Sequence, residues 1–287
     1  MADPRIITPS LLREWPLPTG AGEEKRGRGT VLVLGGSRNI PGGVLLAGVA
    51  ALRAGAGRLQ LAVAESTATA LSIAVPEAKV LGLPETPAGG VAGDLSEPLL
   101  ELAAAADTIA VGPGLDDVQE TEKILATVLR EAGTDTTLVL DAYALGALSR
   151  QPKLLDDGKR GVVLTPNLVE AAHLLGRDVR DDLAAEAAAV AARFGVTVCL
   201  HGHVADPDGN AWREESGDAG LGTSGSGDVL AGLVAGLLAR GATPAQAACW
   251  ATFAHAVSGQ RLAPRFGRTG FLARELLDEV AYTIATV

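Results

Sequence analysis

Short runs of β-branched and aliphatic residues recur at 30–34, 58–64, 107–111, 137–140, 161–165 and 196–200, each bounded by glycine or followed by a helical pattern. This alternation constrains the fold more than any other feature, because parallel neighbours need a crossover long enough to hold a helix. Amphipathic or wholly apolar helical patterns lie between the runs, at 42–54, 118–131, 168–175 and 182–194. The predicted class is α/β, a three-layer arrangement in which right-handed βαβ units build a mainly parallel sheet covered by helices on both faces. After Gly209 three helical patterns follow in succession, at 226–240, 244–262 and 272–283, so the sheet is expected to be complete by then. No internal repeat and no Gly/Ser linker divides the chain, and residues 1–287 read as a single domain.

A hydrophobic content of 47% supplies a sizeable core, and 36 glycines with few aromatics suit helices packed closely on a sheet with tight turns. The formal net charge of -10 opposes nucleic-acid binding, which needs a basic face to displace counterions. An anionic small ligand therefore has to be held by backbone amides or by a metal ion. Cys199 and Cys249 lie in apolar stretches without metal-ligand spacing and read as reduced core residues. The opening "MADPRIITPSLLREWPLP" lacks signal-peptide architecture, and no apolar run suits a membrane span, so a cytoplasmic protein with no membrane partner is expected.

The stretch "GTSGSGDVLAGLVAGLLARG", residues 222–241, places one acid, Asp228, behind a glycine hairpin and at the start of an apolar helix. Gly225 and Gly227 allow positive φ and close approach, so the amides of Gly225, Ser226, Gly227 and Asp228 can converge on an anion. No GxxxxGK[ST] pattern is present, which excludes a P-loop. A carboxylate beside an anion site makes sense as a general base that takes a hydroxyl proton as a phosphoryl group arrives. Favourable placement in a helix's first turn accounts for the same acid without chemistry.

"GDAGLGTSGSGDVLAGLVAGLLARG" from Gly217 resembles the signature of the ribokinase-like superfamily, and most closely its NAD(P)H-hydrate dehydratase branch. The blocks "GTVLVLGGSRNIPGGVLLAGVAALRAGAGRLQLAV", "AVPEAKV", "AVGPGLD" and "LVLDAYAL" resemble the same branch, in the same order. The resemblance implies a ribokinase-like fold and repair of hydrated NAD(P)H at the expense of ADP or ATP, typically ADP in bacteria. The hydroxyl would be phosphorylated and the phosphate eliminated. It also implies Mg2+, a homotetramer, and a separate NAD(P)H-hydrate epimerase as a partner. In this picture Asp228 is the base, and Gly225, Ser226 and Gly227 form the anion hole. Gly43, Gly114, Asp141, Asn167 and Asp228 meet the substrate, whereas His201, Gly202, His203, Thr223 and Gly227 line the nucleotide.

Several of these positions have a purely structural reading as well. Ser37, Arg38 and Asn39 could bond the substrate or form a solvated turn before a proline. The turn "VGPGLD" around Gly114 could be tight without holding a ligand. Asp141 ends a strand and could orient a hydroxyl or a hydrated metal; Ala142 and Tyr143 give no clear helix start, so a capping role explains it less well.

Two positions depart from the family pattern. Family members usually carry His-Pro-Gly-Glu where this chain has Asn167, Leu168, Val169 and Glu170. The resulting Asn-x-x-Glu resembles the magnesium and phosphate motif of ribokinase-like vitamin kinases, with Glu170 as metal ligand; an N-cap with its capping-box partner reads equally well. His201 stands where the family usually has lysine, which should weaken or alter nucleotide binding. A small-molecule kinase of the hydroxymethylpyrimidine or hydroxyethylthiazole type, and a non-catalytic nucleotide-binding homologue, are therefore the alternatives. His201 and His203 read as surface groups rather than metal ligands, His173 and His255 as packing or surface residues, and Trp212, Trp250 and Phe253 as core or interface aromatics.

Overall fold

A computed structural model describes residues 3–19, 25–155, 161–217 and 219–287. Met1 and Ala2 of the opening segment and Asp218 of the glycine signature lie outside the described residues. The chain begins with β1 (Arg5–Ile6) and α1 (Pro9–Glu14), followed by β2 (Thr30–Leu34), α2 (Gly42–Arg53), β3 (Arg58–Ala64), α3 (Glu65–Ala74) and β4 (Ala78–Leu83). Next come α4 (Glu97–Ala105), β5 (Thr108–Val111), α5 (Val118–Glu131), β6 (Thr137–Leu140), α6 (Tyr143–Arg150), β7 (Val162–Leu164), α7 (Leu168–Leu175), α8 (Leu183–Phe194) and β8 (Thr197–Leu200). The hairpin strands β9 (His203–Ala205) and β10 (Ala211–Arg213) precede α9 (Ser226–Ala239), α10 (Pro244–Phe266) and α11 (Ala273–Ala285).

Among the described residues the strands form one sheet in the order β1-β10-β9-β8-β7-β6-β5-β2-β3-β4. The pairs from β8 through to β4 are parallel, and β9 runs antiparallel to both its neighbours. The mainly parallel α/β architecture is thus present, but the sheet is not complete at Gly209. β10 follows that residue, and the N-terminal β1 pairs with it in parallel. These two strands have three and two residues, too few for a period to show in sequence.

Strand side chains alternate between two cores, as the pleat requires. Val31 and Val33 face a cluster with α2, α9, α10 and α11, whereas Leu32 and Leu34 face one with α4, α5, α6, α7 and α8. All four are fully buried, which is why the strand reads as an unbroken apolar run. On the first face α9 lies directly against α2. A Cβ at Gly232 would strike the Ala47 carbonyl and one at Gly236 the Ala51 carbonyl, so these two glycines set the close approach. That contact holds the start of α9 over the ends of the central strands.

Candidate active site

The chain goes outward from β2 to β3 and β4, then returns to place β5 on the other side of β2. This reversal puts a topological switch point at the carboxyl ends of β2 and β5, the place where open α/β sheets take ligands. The first turn of α2, which follows β2, carries Gly43, the loop after β5 carries Gly114, and the first turn of α9 carries Asp228. The structure brings the three together. A Cβ built on Gly43 would lie 2.8 Å from the Gly114 amide nitrogen and 3.0 Å from Asp228 Oδ1. The loops are laced by backbone bonds, Ser37 N–H to Gly114 O at 2.8 Å and Gly36 N–H to Pro113 O at 2.9 Å.

Gly225 adopts φ 85° at the N-cap of α9, a left-handed conformation natural to glycine, and no side chain caps the helix. The Ser226 amide, expected in the anion hole, instead donates to Thr223 O at 3.2 Å, closing the hairpin. The bond follows from the turn itself: its fourth residue returns its N–H to its first. No hydrogen bond from the amides of Gly225, Gly227 or Asp228 is found among the described residues. Gly227 faces open space, with nothing within 4 Å of a built Cβ. Two adjoining first-turn amides and a positive dipole end are thereby left free beside a carboxylate.

That carboxylate is one of three. Burial raises Asp228 to about 6, and the charge of Glu170 adds to the rise. Burial also pushes Asp141 up to about 7, against the hydrogen bond from Thr165 and with the charges of Asp228 and Glu170 reinforcing it. Thr165 Oγ1 donates to Asp141 Oδ1 at 2.7 Å, both groups being buried. Glu170, at the start of α7, is likewise raised by burial. The end of β6 and the first turns of α7 and α9 therefore bring acids to one partly desolvated place, where protons are held more tightly than in water. Asp228 accepts no hydrogen bond among the described residues, which leaves its oxygens available to a ligand.

The family model for NAD(P)H-hydrate dehydratase matches residues 31–281. An ADP-dependent (S)-NAD(P)H-hydrate dehydratase of Xanthomonas campestris is 45% identical over 98% of this chain and 96% of its own length. The chain belongs to the NAD(P)H-hydrate dehydratase family. A Bacillus subtilis ADP/ATP-dependent NAD(P)H-hydrate dehydratase, co-crystallised with ATP/Mg2+, aligns at TM-score 0.82 and 28% identity, covering 100% of this chain and 99% of that one. The Bifunctional NAD(P)H-hydrate repair enzyme of Moorella thermoacetica is 35% identical over 98% of this chain, which spans 54% of that relative.

Within this family frame the two departures acquire physical explanations. Asn167 caps α7, its Oδ1 accepting from Val169 N–H at 2.9 Å and Glu170 N–H at 3.0 Å, while Glu170 Oε2 accepts the Asn167 N–H at 2.8 Å. Both arms of the capping box are made, so the Asn-x-x-Glu spacing has a complete structural cause. His201 and Gly202 form the two-residue turn joining β8 to β9, with φ 48° and 82°. The turn projects His201 into solvent at the end of β8, and half-buried His203 bonds the His201 carbonyl through Nδ1 at 3.2 Å. No cluster of three metal-ligating side chains occurs among the described residues, these histidines included.

The loop after β2 divides its expected contacts. Arg38 is paired with Glu85, which also accepts the Ser66 amide at 2.6 Å, so this arginine fastens the loop to the segment after β4. Ser37 is fully buried and its hydroxyl finds no partner among the described residues. Trp212, Trp250 and Phe253 are core residues and His173 is exposed, as expected.

Three residues at the site escaped the sequence. Thr165 holds Asp141; its place at a strand end, two residues before Asn167, was the available signal. Ala142 starts α6 with φ 48° and ψ -119°, a strained conformation for alanine, and its amide bonds the Asp141 carboxyl. Nothing local marks that conformation. His255 reaches Ser226 from α10, across 29 residues of chain, with no motif to announce it.

Proposed function

We propose that this chain dehydrates hydrated NAD(P)H using ADP, or ATP, as phosphoryl donor. The single observation that carries the reading is the convergence of Gly43, Gly114 and Asp228 around the free amides of α9. The phosphate to be transferred rests on the Gly227 and Asp228 amides, where donors and dipole both favour negative charge. Asp228, raised toward neutrality by burial, takes the proton of the substrate hydroxyl as its oxygen attacks phosphorus. The nucleotide leaves one phosphate shorter. The ring nitrogen then expels inorganic phosphate, the neighbouring carbon loses a proton, and the ring double bond returns. The glycines at 43 and 114 let the hydrated ring lie close to the backbone.

Magnesium fits this donor set. Asp141, Glu170 and Asp228 repel one another in a partly desolvated place, and a divalent cation would relieve that repulsion. With no three-ligand cage among the described residues, the ion would arrive with the nucleotide and Glu170 would be the protein's contribution. Bound there, it would neutralise charge on the phosphates. His201 and Gly202, with Thr223, would border the nucleotide. The homotetramer that the resemblance implies, and a separate epimerase supplying the other hydrate epimer, complete the proposal. No helix among the described residues is long and apolar enough to cross a membrane.

The test is recovery of reduced-cofactor absorbance from purified NADH and NADPH hydrates, with ADP and ATP supplied separately and phosphate release followed in parallel. Failure with both nucleotides refutes the reading. Accumulation of a stable phosphoester would instead favour the vitamin-kinase alternative, whose motivating motif the capping box already explains.

A further inference from the structure

Among the described residues, five helices begin with a side chain that accepts a first-turn amide: Thr8 for α1, Asp117 for α5, Asn167 for α7, Asp182 for α8 and Thr243 for α10. At α9 such a cap would occupy the amides that the proposed reaction gives to phosphate. Its start is instead Gly225-Ser226-Gly227, two glycines around one serine, which by themselves leave the turn loose. Something other than a cap has to hold it.

The neighbouring helix supplies that restraint. His255, buried in the middle of α10, places Nε2 2.8 Å from Ser226 Oγ and 3.1 Å from the Ser226 carbonyl oxygen. A carbonyl oxygen only accepts, so the nitrogen that meets both atoms carries the proton and donates to each. Burial pushes the His255 pKa down to about 4, so the ring is neutral at physiological pH. Ser226 is itself buried, its hydroxyl set against the imidazole.

We infer that His255 is a positioning residue for the phosphate-binding turn: it clamps both oxygens of Ser226, and so fixes the direction of the Gly227 and Asp228 amides and of the Asp228 carboxylate without consuming an amide. The inference rests on the reading of the site given above. A clamp of this kind acts on the nucleotide and on the chemical step, and much less on the hydrated ring, which lies against Gly43 and Gly114.

The experiment compares His255→Leu, His255→Gln, Ser226→Ala and the double variant His255→Leu/Ser226→Ala. Nucleotide Kd is read by calorimetry, kcat and KM by cofactor recovery, and folding by thermal melts. His255→Leu is expected to weaken nucleotide binding and lower kcat by about tenfold each, with KM for the hydrate changed less than about twofold. His255→Gln, which keeps a donor, should restore at least half of the loss on a logarithmic scale. The double variant should be no worse than His255→Leu, because that change already removes the bond that Ser226→Ala removes.

A folded His255→Leu with parental Kd and kcat overturns the inference, as does additivity in the double variant or a failure of glutamine to rescue. Should His255→Leu not fold, Ser226→Ala decides: about a threefold loss in nucleotide affinity supports the clamp, and none overturns it. Because Kd is read without turnover, a parent that fails to repair hydrates sinks the proposed function while the clamp is still judged on nucleotide binding.

Discussion

Asp228→Asn should cut turnover by orders of magnitude and at the same time make the protein more stable, and the two effects separate by pH. In the fold this carboxyl is raised from 3.8 to about 6, first by burial and then by the charge of Glu170. The folded protein therefore holds the proton more tightly than the unfolded chain does. The stability this provides is fully present below about pH 3.8 and is lost as pH rises through about 6. A rise of roughly two units corresponds to at most about 3 kcal/mol at 1.36 kcal/mol per unit, and partial solvent access brings the expected figure to about 1–3 kcal/mol. Asparagine carries no charge to desolvate, so the variant recovers that amount at about pH 8 and almost none at about pH 4. For a chain of this length the melting temperature should rise by about 2–6 °C at the higher pH. Loss of the base lowers kcat by roughly a hundredfold to ten-thousandfold. Differential scanning calorimetry across the pH range and cofactor-recovery kinetics read the two effects. An Asn variant that is no more stable at high pH, or equally stabilised at both pH values, refutes the assigned environment; turnover within tenfold of the parent refutes the base.

Gly227→Ala adds a methyl where nothing lies within 4 Å, so melting should be unchanged or slightly raised while nucleotide affinity, read by calorimetry, falls about tenfold. Gly225→Ala, by contrast, forces alanine to φ 85° against Leu46 and should cost about 1–2 kcal/mol of stability in denaturant titrations. His201→Lys returns a fixed positive charge to the β8–β9 turn; nucleotide Kd should tighten by about threefold to tenfold, and the gain should shrink with added salt. Ala142→Gly relieves the strained φ of 48° and should raise stability by about 1 kcal/mol or more, while kcat falls as Asp141 loses a fixed backbone donor.

The α/β class and the central strands were legible because strands such as β2, buried on both faces, leave an uninterrupted apolar run with helical spacing on either side. β9 and β10 were not, since three-residue strands carry no period, and β1 owes its existence to a partner more than 200 residues away. The same division holds at the site. Gly43, Gly114 and Asp228 could be named because each sits in a turn with a recognisable local composition. The bond from the Ser226 amide to Thr223 O depends on how the hairpin closes, which local composition does not show. Thr165, Ala142 and His255 act through distance and dihedral angle alone, and a sequence shows neither.

Several of the places where local rules are broken lie on one edge of the molecule. Ala142 and His201 are the non-glycine residues with positive φ among those described, and both stand just past the carboxyl ends of strands in the parallel part of the sheet. The three mutually repelling acids and the uncapped start of α9 are on that same edge. The opposite edge, where α2 and α9 end and α10 begins, is tied by satisfied bonds. Arg240 donates to the Ala54 and Pro18 carbonyls, and Gln246 and Trp250 both donate to Trp15 O. Strain at a binding crevice persists only where the surroundings over-determine it. The N-terminal segment through Pro18 is part of that surround: it anchors the far end of α9, whose near end presents the amides and the carboxylate, and the start of α10, whose middle carries the histidine clamp. Loosening it by Trp15→Ala leaves the carbonyl that Gln246 and Trp250 use but removes the ring that packs on Trp212. The global fold should then weaken while Asp228 keeps its raised pKa, because the cause of that shift lies at the other end of α9.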